Sequence, residues 1–458
     1  MGTLDQSPPS DMAIHDLKVT IHDSELIFAA NETEKKSLFL SNIDQVLNFD
    51  VQTVHFFRAN SEFPPKMVVE KLKIALGKVL VPYDFLAGRI KVNNESGRLE
   101  IDCNSAGAGF VVASSEFCLN DIGDLVYPNP AFAQLIVQKL DFLEANNQPL
   151  CILQVTSFKC GGFAMGLSTN HCSFDGISFK YFLQNLASQA FDNKPLAVIP
   201  FKDRLPLAAR SPPTVTFPHP ELLKLKVPIG DESNSSPPVF DGQSDDLAFK
   251  IFRLSSDDVS YLKEKTKNET EKTDLKITGF NVVTTLIWRC KALSLGNTAD
   301  MDRESTVLYA VDIRQRLKPP LPASYTGNAV LTAYATATCK ELEEGPFSKL
   351  VEKVYEGSTR MTDEYARSAI DWGEIYKGFP HGEFLISSWW RLGFAETEFP
   401  WGKPRYSCPV VYHRKDIVLL FPDIEGNDGL NNNAVNVLVA LPPKEMDKFE
   451  SLFHKFLA

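Results

Sequence analysis

The stretch CILQVTSFKCGGFAMGLSTNHCSFDGISFKYFLQNL, from Cys151 to Leu186, changes its hydrophobic period partway along. Its first part is apolar and β-rich, from Ile152 to Thr156 and again from Gly162 to Leu167, with Gly161-Gly162 as the break. Past Asp175 the spacing becomes helical, with Phe179, Phe182, Leu183 and Leu186 three and four residues apart. His171 therefore stands where a strand gives way to a helix, a place where a side chain can be aimed into a cleft. A histidine side chain can take a proton from a hydroxyl or amine nucleophile. Asp175, four residues on, can hold local geometry or orient the ring. His-x3-Asp alone recurs by chance in chains of this length, so the rest of the sequence has to carry the assignment.

A length of 458 residues exceeds one ordinary core and predicts two domains of roughly 200 residues each. The apolar fraction of 44% and charged fraction of 23% are those of a folded, soluble chain. A net charge of −11 argues against nucleic acid or an anionic membrane surface as the main partner. An anionic ligand would need a local basic pocket. The eight cysteines (Cys103, Cys118, Cys151, Cys160, Cys172, Cys290, Cys339, Cys408) form no CxxC pair, which predicts reduced thiols and no metal site. MGTLDQSPPSDMAIHDL at the N-terminus is polar and acidic, unlike a signal peptide. No apolar run approaches the ~18 residues a membrane span requires. These features predict a cytoplasmic protein that neither inserts into membranes nor binds nucleic acid, and a monomer is expected.

Along the chain, alternation in Asp50–Phe57 predicts a strand, and Val68, Leu72 and Leu76 predict a helix over Pro65–Val79. LAGRIKVNN, SGRLEID and GFVVAS read as a meander of strands. Residues 196–245 hold many prolines and the polar patch DESNSSPP, which predicts a crossover linker between residues 1–195 and 246–458. The second half restarts with the strand AFKIFRL and a serine-capped helix, SSDDVSYLKEKTK. Helices follow over Thr278–Leu293 and within Glu343–Arg367, with strands at TVLYAVDIR, GNAVLTAYATAT, LISSWW, DIVLLFPDI and AVNVLVAL. The expected class is α/β (α+β), with mixed sheets flanked by helices in both halves.

Two further clusters stand out. Glu398-Phe399-Pro400-Trp401-Gly402-Lys403-Pro404 reads as a rigid turn with an aromatic wedge, a structural loop at a domain junction. Upstream, Ser387-Ser388-Trp389-Trp390-Arg391 puts a hydroxyl on a strand, from which it could donate to a developing oxyanion. A Ser-His-Asp hydrolase is the competing chemistry, but the chain lacks a Gly-x-Ser-x-Gly elbow. It also lacks a Gly-x4-Gly-Lys-Ser/Thr loop and a dinucleotide-binding glycine fingerprint.

Over nearly its whole length the sequence resembles the plant BAHD acyl-CoA-dependent acyltransferases. The family's His-x3-Asp-Gly matches His171, Asp175 and Gly176, and its Asp-Phe-Gly-Trp-Gly matches Glu398–Gly402 imperfectly. SNIDQ (41–45), PYDFLAGRI (82–90), LIWRCKAL, VDIRQRLKPPLP and Gly327-Asn328-Ala329 resemble other family segments in the right order. The resemblance implies two chloramphenicol-acetyltransferase-like domains with a channel between them and His171 at its middle. It implies direct acyl transfer with His171 as base, Ser387 as oxyanion donor and no acyl-enzyme. Acyl-CoA is then a co-substrate, with no cofactor bound permanently. Asp175 is expected to pair with Arg314 as scaffold, and Trp401 and Gly402 to support structure. Val51, Thr53, His55 and Trp389 are expected to line the acceptor side, His55 as pocket wall.

Two departures qualify this. Glu398 replaces the usual Asp, and Pro400 replaces the first Gly, fixing φ near −65° there. Relatives that acylate shikimate or quinate carry an arginine about a dozen residues before the oxyanion hydroxyl, and Glu374 stands at that spacing here. An acid in the channel would repel a carboxylate. The expected acceptor is therefore a neutral fatty, aromatic, terpenoid or steroid alcohol or a glycoside, and the expected donor acetyl- or hydroxycinnamoyl-CoA. Acylation of amines, or a non-catalytic member with a binding or regulatory role, are the other outcomes the resemblance leaves open.

Overall fold

A computed structural model describes residues 14, 16–126, 129–224, 247–270, 272, 275–295, 300–410, 415–423 and 433–458. The first part holds β1 (Val19–Ile27), β2 (Lys36–Phe39), α1 (Asn42–Gln45), β3 (Asp50–Phe57), α2 (Pro65–Val79), β4 (Arg89–Val92), β5 (Leu99–Cys103), β6 (Ala108–Ser115), β7 (Cys151–Ser157), β8 (Phe163–Asn170) and α3 (Gly176–Ala190). The chain continues through β9 (Leu222–Leu223), β10 (Ala248–Leu254), α4 (Ser256–Glu269), α5 (Gly279–Ser294), β11 (Glu304–Asp312), β12 (Val330–Thr338), α6 (Cys339–Glu344), α7 (Phe347–Thr359) and α8 (Asp363–Tyr376). It ends with β13 (Phe379–Pro380), β14 (Phe384–Ser388), β15 (Tyr406–Pro409), β16 (Ile417–Pro422), β17 (Val435–Leu441) and α9 (Pro443–Leu457).

Two six-stranded mixed sheets result, ordered β1-β6-β7-β8-β3-β15 and β10-β17-β16-β14-β11-β12. In the first, only β6 and β7 run parallel; in the second, β16, β14 and β11 do. This is the α/β class expected from the sequence. Strand β8 is buried along its whole length, which explains why it reads as a nearly unbroken apolar run. Phe163, Met165 and Leu167 point from it into the core beneath α2 and α3, where they meet Phe179, Phe182, Leu183 and Leu186. That packing is what fixes the strand–helix junction at His171. Truncating a fully buried ring such as Phe182 to Ala would cost about 3–5 kcal/mol through lost transfer energy and the cavity left behind. The second core lies between its sheet and α4, α5, α7 and α9, with α5 buried on every side.

The expected division of the chain is crossed in two places. Strand β15, from beyond residue 400, completes the first sheet by pairing antiparallel with β3. Phe394, Phe399 and Trp401 likewise enter the first core. The crossover is also no loose tether over its described part. Phe201 bridges to Tyr325, β9 pairs with β13, and Arg204 is completely buried. Proline here fixes an extended path over a packed surface. The remaining stretch of the expected linker lies outside the described residues.

Candidate active site

His171 follows the last residue of β8, and its main chain is tied at both ends. Its N–H donates to the Phe49 carbonyl at 2.8 Å, and its carbonyl accepts from Asn328 Nδ2 at 2.8 Å. The ring stands edge-on to Phe49, with centroids 5.3 Å apart and planes at 71°. Nδ1 is shut in with no hydrogen-bond partner, and no hydrogen bond is made by Nε2 among the described residues. The imidazole thus keeps one nitrogen free to meet a ligand.

The turn that carries it is held by two buried charge clusters. In the first, Asp175 caps α3 by accepting from the Ser178 N–H at 2.9 Å. Arg314 Nη2 reaches both of its carboxylate oxygens, at 2.9 and 2.8 Å, and the Ala329 N–H donates to Oδ2 at 2.9 Å. Burial opposes the Arg314 charge, but Asp175 and Asp312 outweigh it, so its pKa is raised. With every lone pair of Asp175 committed to this scaffold, the carboxylate has none to orient the His171 ring. In the second cluster, Arg204 donates to the Cys172 carbonyl at 2.7 Å and the Ser173 carbonyl at 3.0 Å, and pairs with Asp44 at 3.3 Å. Asp44 also accepts from Ser41 and from Asn328 Nδ2, the amide that holds the His171 carbonyl. Ser41, Asp44 and Asn328 lie in the quoted segments SNIDQ and Gly327-Asn328-Ala329. Arg204 was not foreseen, because it lies in a stretch whose composition reads as linker.

Neither neighbour of His171 is placed to act as a nucleophile. The Cys172 thiol is fully buried, and burial pushes its pKa up to about 12. The Ser173 hydroxyl is fully buried as well.

Ser387 lies on β14 between two parallel neighbours, in register with Leu419 of β16. Ile386 points into the helix-covered core, so Ser387 takes the opposite face with Leu419. Its hydroxyl is half-buried and makes no hydrogen bond among the described residues. Trp389 packs both against Leu419, Phe421 and Leu438 and against the first core, where it meets Phe394 at 5.2 Å. That face of the second sheet therefore borders the first.

Val51, Thr53 and His55 share one face of β3, opposite Thr169, Leu167 and Met165. His55 is sealed between Ser407 at 2.8 Å and Thr53 at 3.3 Å, and burial lowers its pKa to about 3. Its ring is buried and neutral. Glu374 requires a correction: it sits on the last turn of α8, and Arg98 Nη1 holds its carboxylate at 2.7 Å. A carboxylate paired in this way supplies no free repulsive charge. The argument for acceptor neutrality from Glu374 therefore falls.

The 398–402 segment is a tight turn in which the Gly402 N–H donates to the Phe399 carbonyl at 3.0 Å. Pro400 occupies the second turn position, which suits its fixed φ, and the positive φ of +110° falls on Gly402. Phe399 and Trp401 stack at 5.3 Å and insert edge-on against Phe57. Glu398 stays exposed. Proline is thus accommodated, and the turn locks the late segment onto the first sheet.

The sequence and the fold together are those of a transferase. The sequence pattern of the Transferase family matches residues 17–456. Acyltransferase GLAUCE of Arabidopsis thaliana is 61% identical, covering 99% of this chain and 98% of its own. Omega-hydroxypalmitate O-feruloyl transferase of Arabidopsis thaliana is 34% identical, covering 95% and 93%. The crystal structure of vinorine synthase shares the fold, with a TM-score of 0.70 at 22% identity over 95% of this chain and 98% of that one. The chain belongs to the Transferase family, that of the plant BAHD acyltransferases, and is an acyl-CoA-dependent acyltransferase.

Proposed function

We propose that the protein transfers a hydroxycinnamoyl group from its CoA thioester to the hydroxyl of a long-chain aliphatic acceptor, with His171 as general base. The observation that carries this is the posture of His171: anchored through both main-chain groups, with Nε2 unengaged and Asp175 committed elsewhere. For Nε2 to accept a proton, the neutral ring must carry its hydrogen on Nδ1. Nε2 takes the hydroxyl proton as the oxygen attacks the thioester carbon. The Ser387 hydroxyl donates to the oxyanion. Collapse breaks the C–S bond, and the proton leaves with the CoA thiolate, so no acyl-enzyme forms.

The acceptor class rests on the apolar surroundings of Ser387, where Leu419, Phe421, Leu438 and Trp389 offer no charge. It also rests on the feruloyl donor and ω-hydroxypalmitate acceptor in one relative's name. The test is CoA-thiol release with feruloyl-CoA and either 16-hydroxypalmitate or hexadecanol, with the ester identified by mass spectrometry. Ester formation at least tenfold faster than with shikimate is expected. Equal or faster acylation of shikimate would contradict the acceptor assignment.

A further inference from the structure

We propose that a cavity walled by Arg58, Lys403, Arg405 and Trp401 binds a phosphate-bearing small molecule, at a site separate from that of His171. The proposal does not rest on the acyl-transfer reading. The cavity measures about 530 Å³, and Asn60 and Ser61 add an amide and a hydroxyl to its wall. Among the described residues, no carboxylate lines it. The fold forces the basic groups together: Arg58 leaves the end of β3, and Lys403 and Arg405 lead from the Trp401 turn into β15, which pairs with β3. The Arg405 N–H donates to the Phe56 carbonyl at 2.7 Å, fixing that approach.

Among the described residues, nothing neutralises these cations. Arg58 and Lys403 enter no ion pair among the described residues, and the Arg405 side chain there donates to the neutral Asn120 amide oxygen at 3.2 Å. Glu62 and Glu398 flank the segments in sequence, but both are exposed and neither forms an ion pair with these cations among the described residues. Trp401, only 6% exposed, gives the cavity a rigid aromatic side. Three unpaired cations converging in a chain of net charge −11 repel one another unless an anion lies between them. Guanidinium forks match phosphate oxygens in pairs, while the ammonium of Lys403 adds a point charge. The nine residue steps from Phe49, which touches His171, to Arg58 correspond to about 30 Å of extended chain, so the two places are distinct.

The test is calorimetric titration of the full chain with inorganic pyrophosphate at low ionic strength, beside the double variant Arg58→Gln/Lys403→Gln. Saturable binding that weakens at least tenfold in the variant, and weakens with added salt in the parent, is expected. Thermal melting reports whether the variant is folded; should it not be, Lys403→Gln alone reads the same loss. Absence of saturable binding, or equal affinity in a folded variant, overturns the proposal. Vesicles of phosphatidylcholine with and without phosphatidic acid separate a lipid headgroup from a free ligand. Co-sedimentation with the acidic vesicles in the absence of pyrophosphate binding would refute the small-molecule assignment. A tenfold rise in KM for acyl-CoA in the variant would make the cavity part of the donor site and refute its separateness.

Discussion

Replacing Asp175 by Asn removes one charge while keeping a side chain of the same size that can still cap α3, since Asn and Asp are equivalent caps. What is lost is the anion facing Arg314, whose Nη2 lies 2.8–2.9 Å from both oxygens. The amide would also point a second donor at either Arg314 or the Ala329 N–H. Breaking a buried pair by removing one partner costs about 3–5 kcal/mol. An unfolding entropy of about 2.1 cal/mol/K per residue gives about 1 kcal/mol/K for 458 residues unfolding together. Asp175→Asn should therefore lower the melting temperature by about 3–5 °C, and about twice that if only one half of the chain melts in the transition. Scanning calorimetry reads this directly, with CoA-thiol release measured below the transition. Arg314→Gln should cost a similar amount, and the double variant less than the sum, because both charges are then gone. An Asp175→Asn protein that melts with the parent yet loses kcat would refute the reasoning and make Asp175 part of the chemistry.

Ser387→Ala should lower kcat about 10²–10³-fold with an unchanged melting temperature, since one oxyanion donor contributes that much; an effect confined to KM would count against the role. Cys172→Ala should leave kcat within about threefold, and an acyl group found on Cys172 by mass spectrometry would overturn direct transfer. His55 predicts acid sensitivity. Its folded pKa of about 3 lies below the unfolded value near 6.5, so the unfolded state takes up a proton first as pH falls. Stability is full above about pH 6.5 and declines below it, by about 2 kcal/mol at pH 5. His55→Asn should flatten that part of the melting-temperature profile, and an unchanged slope would show that His55 is not its source.

The junction at His171 was legible because a strand buried on both faces and an amphipathic helix have different periods, and the change of period marks the turn. Arg314 as the partner of Asp175 came from family resemblance, since no local pattern says which cation crosses 139 residues to meet it. The placement of β15 was not legible. A four-residue strand has the same composition whichever sheet receives it, and only the fit of Phe399 and Trp401 against Phe57 decides. Arg204 was hidden by proline content, which signals an extended path equally well over solvent or over a core. Glu374 was read as a free charge because no local pattern reveals its partner, Arg98, which stands 276 residues away.

The central claim is that His171 is the base and acts without a carboxylate relay. Its most direct test is the rate of CoA-thiol release by His171→Ala with feruloyl-CoA and a saturating long-chain alcohol, alongside its melting curve. Because a general base contributes about 10²–10⁴-fold, kcat should fall by at least ~10² while the melting temperature stays with the parent. A folded His171→Ala protein that turns over at near the parental rate would contradict the account.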